Sequence, residues 1–299
     1  MSTGSSSTEP AETDAFQPRS DLPFYIGLML ISGVYVVLLI GLLVADVAYM
    51  GLDASADTVS LPAALEWSRP VLRPILAMGT ALAKPEIRYA VKLTMISCLV
   101  TAILSLLTAV PAAYLISRRD FPGKNLLDAI LDIPIVLPPL VVGLSLLILF
   151  QFWPFRLFSR DIVFQVPAVV LAQYMVATAF AVRVMRATFD QIDPRLEQVA
   201  LTLGCNQSQA FWRIVLPQAG QGMLTAGTLA WARALGEFGP LLIFAGATRM
   251  KTEVLSTTVF LEMSIGNLEG AVAVSLLMVG CAVAVLVIAR IWGSRGLSL

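Results

Sequence analysis

Arg233 and Glu237 stand four residues apart in the apolar stretch ARALGEF. In apolar surroundings a lone charge costs several kcal/mol. Helical spacing of i, i+4 lets the two pair and cancel. Two readings follow: a buried structural pair, or an Arg233 that faces a path for anions with Glu237 fixing its orientation. Asp128 and Asp132, also four apart, open a second apolar stretch. On an anion path they would repel the cargo, so a structural or gating role suits them better. Pro134, Pro138 and Pro139 follow directly. Each lacks an amide donor, and the carbonyls so freed need partners in protein or water. The stretch therefore either lines a cavity or kinks for packing.

The third unusual segment is EQVALTLGCNQSQAFWRIVLPQAG, residues 197–220. Asp193-Pro194 is a helix start, with Asp able to cap and Pro fitting the first turn. Leu196, Val199, Ala200 and Leu203 then recur at i, i+3, i+4 and i+7 as one apolar face. Gly204 supplies a stop. Asn206 opens a second helix, with Gln209 placed to complete a capping box. Phe211, Ile214 and Val215 form its apolar face, and Leu216-Pro217 ends it. Helices this short are not stable alone. They must dock, either on their own bundle or on a partner protein.

The elements that carry these residues are written in the composition. Of 299 residues, 58% are hydrophobic and 13% charged, and mean hydropathy is +0.82. That charge content is about half the usual share of a soluble domain and places the chain in lipid. Net charge is zero, so no basic surplus points to nucleic acid. There is no histidine, and Cys98, Cys205 and Cys281 lie far apart, which removes the common zinc constellations and a disulfide framework. No GxxxxGK[ST] loop, nucleophile elbow or haem motif occurs.

A spanning helix needs about 20 mostly apolar residues. Six windows qualify: 24–50, 89–116, 126–152, 166–188, 218–246 and 270–291. Residues 51–88 are too mixed to cross and read as an interfacial segment. The first twenty or so residues are Ser/Thr-rich and acidic, lack the basic region of a signal peptide, and read as a disordered tail. Ala226, Ala230 and Ala234 recur every four residues and allow close helix contact, here or against a second copy. Basic residues divide almost evenly between the two sides, so charge does not orient the chain.

Gly204, nine residues, Ile214, one residue and Leu216-Pro217 resemble the EAA loop of permease subunits in ABC importers. LLDAILDIPIVLPPLVVG (126–143) and ARALGEFGPLLIFAGATRMKTEVL (232–255) resemble the molybdate and sulfate branch of that family, over about residues 88–292. The family's Glu-Ala-Ala aligns with Gln198-Val199-Ala200, with Glu197 one place earlier. Ala200 and Gly204 suit close backbone approach between helices. Pro240 stands where the family has a small residue.

The resemblance implies an all-α, polytopic membrane protein with about six transmembrane helices and the type I permease fold. Its parts would be a cytoplasmic tail (1–22), the first helix with its external segment (23–88), a permease core (89–292) and a cytoplasmic C-terminal tail (293–299). A cytoplasmic coupling loop at about 190–217 would seat in an ATPase through Glu197, Gln198, Ala200, Gly204, Ile214, Leu216 and Pro217. Pro134, Pro138, Pro139, Arg233 and Glu237 are the pathway candidates. Expected partners are a second permease copy, two ABC ATPase subunits, an extracytoplasmic oxyanion-binding protein and the lipid bilayer. The chain would bind no cofactor, ATP and Mg being used by the ATPase, and would do no bond chemistry. The location would be a bacterial cytoplasmic membrane with both termini inside. Molybdate or tungstate is the first cargo and sulfate or thiosulfate the second. A lone anion transporter or channel is the remoter alternative, disfavoured by the lack of an internal repeat and the few protonatable membrane residues.

Overall fold

The computed structural model describes residues 22–52 and 78–295. The expected N-terminal tail, most of the interfacial segment and the last four residues lie outside them. Every regular element among the described residues is helical. Two compact units are present, 1–46 and 47–299. The first contains most of α1 (Leu22–Leu52), whose stretch Met29–Tyr49 has a mean hydropathy of 2.5.

In the second unit, α2 (Pro85–Arg118), α5 (Val166–Gln191) and α10 (Leu268–Arg295) are each long and apolar enough to span a membrane. The third window is two helices, α3 (Lys124–Val136) and α4 (Pro139–Leu149), bent by 112°. Leu137-Pro138 makes the break, since Pro138 cannot donate and biases Leu137 to the extended conformation, ψ 138°. The window at 218–246 departs from its reading as one helix. It forms α8 (Gly220–Leu235), then an irregular Gly236–Pro240, then a π-helical turn Leu241–Ala245. Gly236, Gly239 and Pro240 are the cause, two weak helix formers and a residue without an amide. Between α5 and α8 lie the short helices α6 (Arg195–Thr202) and α7 (Gln207–Ala210), and α9 (Leu255–Ser264) precedes α10.

The core is the packing of α2, α5 and α8 on one another. It is built from small residues, including Ala109 and Ala113 of α2, Ala177 and Ala181 of α5, and Ala226, Ala230 and Ala234 of α8, all fully buried. Lipid tails give helices no hydrophobic reason to associate, so close contact through small residues and cross-helix hydrogen bonds takes over. The alanine row of α8 is thus consumed within the chain and is not free for a second copy. The hydrogen bonds are present too. Gln173 of α5 accepts from Thr101 of α2 (3.2 Å) and donates to the Ala234 carbonyl of α8 (3.2 Å). Ser105 and Thr178 bond at 3.0 Å.

Candidate functional site

The segment after α5 folds as two short helices. Asp193 Oδ1 accepts from the Arg195 amide at 2.9 Å in the turn that leads into α6. Gly204 follows with φ +91°, the left-handed conformation that ends helices. Nothing lies within 4 Å of where its side chain would be. Within this chain the glycine serves backbone conformation. Asn206 and Gln209 complete the reciprocal capping box. The chain then passes through a π-helical turn, Phe211–Val215, into Leu216–Gln218 and on to α8.

The apolar face of α6 is mostly uncovered. Ala200 is 2% exposed, but Leu196, Val199 and Leu203 are exposed, Leu203 at 80%. Trp212 is exposed as well, while Val215 is buried in the core. Ile214 and Leu216 are partly buried, Gln198 and Pro217 are exposed, and Glu197 is partly buried and turns inward. Glu197 Oε1 accepts from Arg118 Nε at 2.8 Å, and Oε2 from the Tyr114 hydroxyl at 2.9 Å. Arg118 Nη2 also holds the Ile192 carbonyl at 2.7 Å. One carboxylate thus ties α6 to the end of α2. A polar hollow of about 230 Å³ lies beside it, lined by Arg119, Gln198 and Gln207 among others.

The broken helices meet one another. The position of a Cβ on Gly143 of α4 is 2.7 Å from the Pro240 Cα, and that on Gly239 is 3.0 Å from Pro139 Cβ. The proline of each break abuts a glycine belonging to the other. Pro240 itself is accommodated at the entry to the π turn with φ −63°. Just before that break, Arg233 Nη1 approaches Glu237 Oε2 to 2.5 Å. The Glu237 carboxyl is 1% exposed, and its oxygens have no hydrogen-bond partner among the described residues. The contact is an ion pair by distance, and Glu237 makes it from beyond the end of α8. Arg233 also lies 5.7 Å from the Phe180 ring centre.

Pro134 sits inside α3, and Pro138 and Pro139 are exposed at the bend. Asp128 and Asp132 are each paired: Asp132 with Arg183 through two bonds, 3.0 and 2.6 Å, and Asp128 with Arg186. At the other end of the bundle, Arg249 holds Glu86 and Glu262, both at 2.9 Å, and Tyr89 donates to the Lys251 carbonyl. Beside them Glu253 is fully buried, its carboxyl oxygens without a hydrogen-bond partner among the described residues. The Thr258 hydroxyl and the Met250 amide nearby favour its anion, but burial prevails and holds its carboxyl above the usual range. Thr258 is already committed to the Val254 carbonyl.

Residues 105–295, well over half the chain, match the family of binding-protein-dependent transport system inner membrane components. The chain belongs to that family. Within it, the molybdate/tungstate transport system permease protein WtpB of Thermococcus kodakarensis is 36% identical over 161 residues, 54% of this chain and 62% of that protein. The sulfate transport system permease protein CysT of Escherichia coli is 30% identical over 65% of this chain and 72% of its own length. CysW of Synechocystis is 30% identical over 72% and 80%. The chain therefore spans under two thirds of the first relative and more of the other two. Among solved structures, a bacterial alginate ABC transporter in complex with an alginate pentasaccharide-bound periplasmic protein is similar with TM-score 0.60 over 89% of this chain and 98% of that one, at 17% identity. Likeness at that identity speaks for the fold, that of an ABC importer permease.

Three sets of residues in this permease were not picked out from sequence. Tyr114 and Arg118 lie far from Glu197 along the chain. Gln173 reads as an ordinary polar residue of a span. Arg183 and Arg186 read as ordinary charges near the end of the fourth window. Their three-residue spacing on one helix, against aspartates four apart on another, is a signal that pairing rules alone could have used.

Proposed function

We propose that the chain is the permease subunit of an ATP-driven importer of a tetrahedral oxyanion, molybdate or tungstate. The observation that carries this reading is the 36% identity to a molybdate/tungstate permease over 161 residues, 54% of the chain. Sulfate is the second reading, favoured by sulfate permeases that match a larger share of their own length.

In this reading the α6–α7 segment is cytoplasmic, which puts both termini inside a bacterial cytoplasmic membrane. α6 presents Leu196, Val199 and Leu203 to a groove on an ABC ATPase, the uncovered apolar face being its grip. Gly204 sets the turn, and Gln198 lies on the outward side. Ile214, Leu216 and Pro217 carry motion into α8, because they join the docked segment to the core without a flexible linker. Two permease copies, two ATPases and an extracytoplasmic binding protein complete the machine. ATP and Mg belong to the ATPase, and this chain moves cargo without making or breaking bonds.

ATP-driven closure of the ATPase pair draws the two α6 segments together. The broken helices, hinged at Pro134–Pro139 and at Gly236–Pro240, swing with them. Arg233 offers the passing oxyanion a cation, and Glu237 keeps that cation in place and only partly neutralised. A path must release what it accepts, which a paired arginine achieves better than a free one. The test is uptake by proteoliposomes containing this chain, its ATPase and its binding protein. ATP-dependent molybdate uptake that excess sulfate does not abolish is expected. Uptake driven by an ion gradient without ATP would refute the reading.

A further inference from the structure

No residue of α3 is buried, and the bend at Leu137-Pro138 parts it from α4. Leu131 packs partly buried on the core, and ion pairs add to that hold. Arg183 grips Asp132 with two parallel bonds, from Nε and Nη2. One turn on, Arg186 grips Asp128, and Asp190 lies 3.8 Å from its Nε. Two guanidiniums on one helix thus each rest on an aspartate of the broken span.

Three features make this row more than a tie. It is open: the Arg183 side chain is 64% exposed and Asp132 is 31% exposed. Exposed pairs are worth only about 0–1 kcal/mol, so displacing the aspartate costs an incoming anion little. The fork that accepts a carboxylate accepts a tetrahedral oxyanion with the same pair of donors. Finally, the arginines occupy the last turns of α5, which leads through Ile192–Pro194 into α6. An event at the row therefore acts at the docking segment and on α3 at once.

We propose that Arg183 and Arg186 form a station for a divalent tetrahedral oxyanion, with Asp132 and Asp128 as resting counter-ions that the anion displaces, releasing α3. The station rests on the oxyanion reading above and adds a place and an exchange to it. The aspartates do not bar an anion from this row. They hold the two guanidiniums while the row is empty and leave when cargo arrives.

The test uses the permease assembled with its ATPase in nanodiscs, without binding protein. It is titrated calorimetrically with molybdate and, separately, sulfate, with chloride holding ionic strength constant. Asp132→Asn removes the competitor while keeping its shape, so binding should tighten about three- to fivefold. Asp128→Asn should act in the same direction through Arg186. Arg183→Gln should weaken binding about tenfold or more, and Arg183→Lys, which keeps the charge and loses the fork, should fall between. If the row only pins α3, Asp132→Asn and Arg183→Gln change binding alike, and that result overturns the proposal. Absence of anion-dependent heat in the unmodified complex overturns it too. Uptake by the complete importer separates the two levels. Molybdate or sulfate uptake without binding at the row removes the station alone, whereas uptake of neither removes the oxyanion reading with it.

Discussion

Arg118→Met should loosen α6 while leaving the bundle intact. The wild-type contact joins side chains that are 9% and 15% exposed, Arg118 and Glu197. The variant deletes the 2.8 Å bond to Glu197 and the 2.7 Å bond to the Ile192 carbonyl. Glu197 is left with the Tyr114 hydroxyl alone. A charge-assisted bond contributes about 1.5–3 kcal/mol, and breaking a fully buried pair costs about 3–5. Residual exposure puts the present case near 2 kcal/mol. Because each 1.36 kcal/mol is tenfold in an equilibrium, amides of residues 196–203 should exchange hydrogen about 30 times faster. Arg118→Lys keeps the charge but cannot reach both acceptors, and should give an intermediate rise. Glu197→Gln keeps the acceptor without the charge and should also fall between. The double variant Arg118→Met/Glu197→Gln should cost less than the sum of its parts. The assay is hydrogen exchange with mass spectrometry on the purified permease. A rise below about twofold, or one spread evenly over α2, α5 and α8, refutes the clamp.

Gly143→Ala places a methyl group 2.7 Å from backbone at Pro240, so one break must move. A loss of about 1–3 kcal/mol is expected, seen as a lower unfolding temperature of the detergent-solubilised chain. Gly204→Ala meets no atom but is strained at φ +91°, costing about 1–2 kcal/mol. Gly204→Asn, which tolerates that conformation better, should cost less in the same melt. The raised folded pKa of Glu253 makes its contribution to stability full below about pH 4.5, its ordinary value, and lost as pH rises through the folded value. Glu253→Gln should therefore flatten the fall in unfolding temperature above that pH, and an unchanged pH profile would show that the carboxyl is not held neutral.

Much of the fold was legible because lipid permits few solutions. Long apolar runs must be helices when no water can satisfy their backbone, and four of the windows are single helices for that reason. Pro134, Pro138 and Pro139 announced the break in the third window. The break in the fifth was harder to read, since Gly236 and Gly239 are tolerated in helices and only Pro240 forbids one. The paired Arg233 and Glu237 were legible from spacing, although Glu237 reaches its partner from outside the helix. Local capping chemistry carried α6 and α7 down to the Asn206–Gln209 box. Contacts between distant segments were not legible. Nothing local in Glu197 names Tyr114 or Arg118, and nothing in Asp132 names Arg183. Those pairs exist because the bundle brings α2 to α6 and α3 to α5.

The two breaks and the charged pairs belong to one design. A straight α4 and a straight α8 could not touch through prolines, because a proline inside a helix has its ring against the preceding turn. Broken, each exposes a proline that the other's glycine can receive, Pro240 against Gly143 and Pro139 against Gly239. The contact fixes the two breaks to one another while leaving the half-helices on either side less constrained. α3 is the extreme case, without a buried residue. Such a half-helix needs a holder that can be set and unset. Apolar packing is a poor one in lipid, where tails replace it at little cost. Ion pairs serve better, since a competing ion can exchange with them. In the proposed station, the charges of α3 and α5 supply that reversible hold.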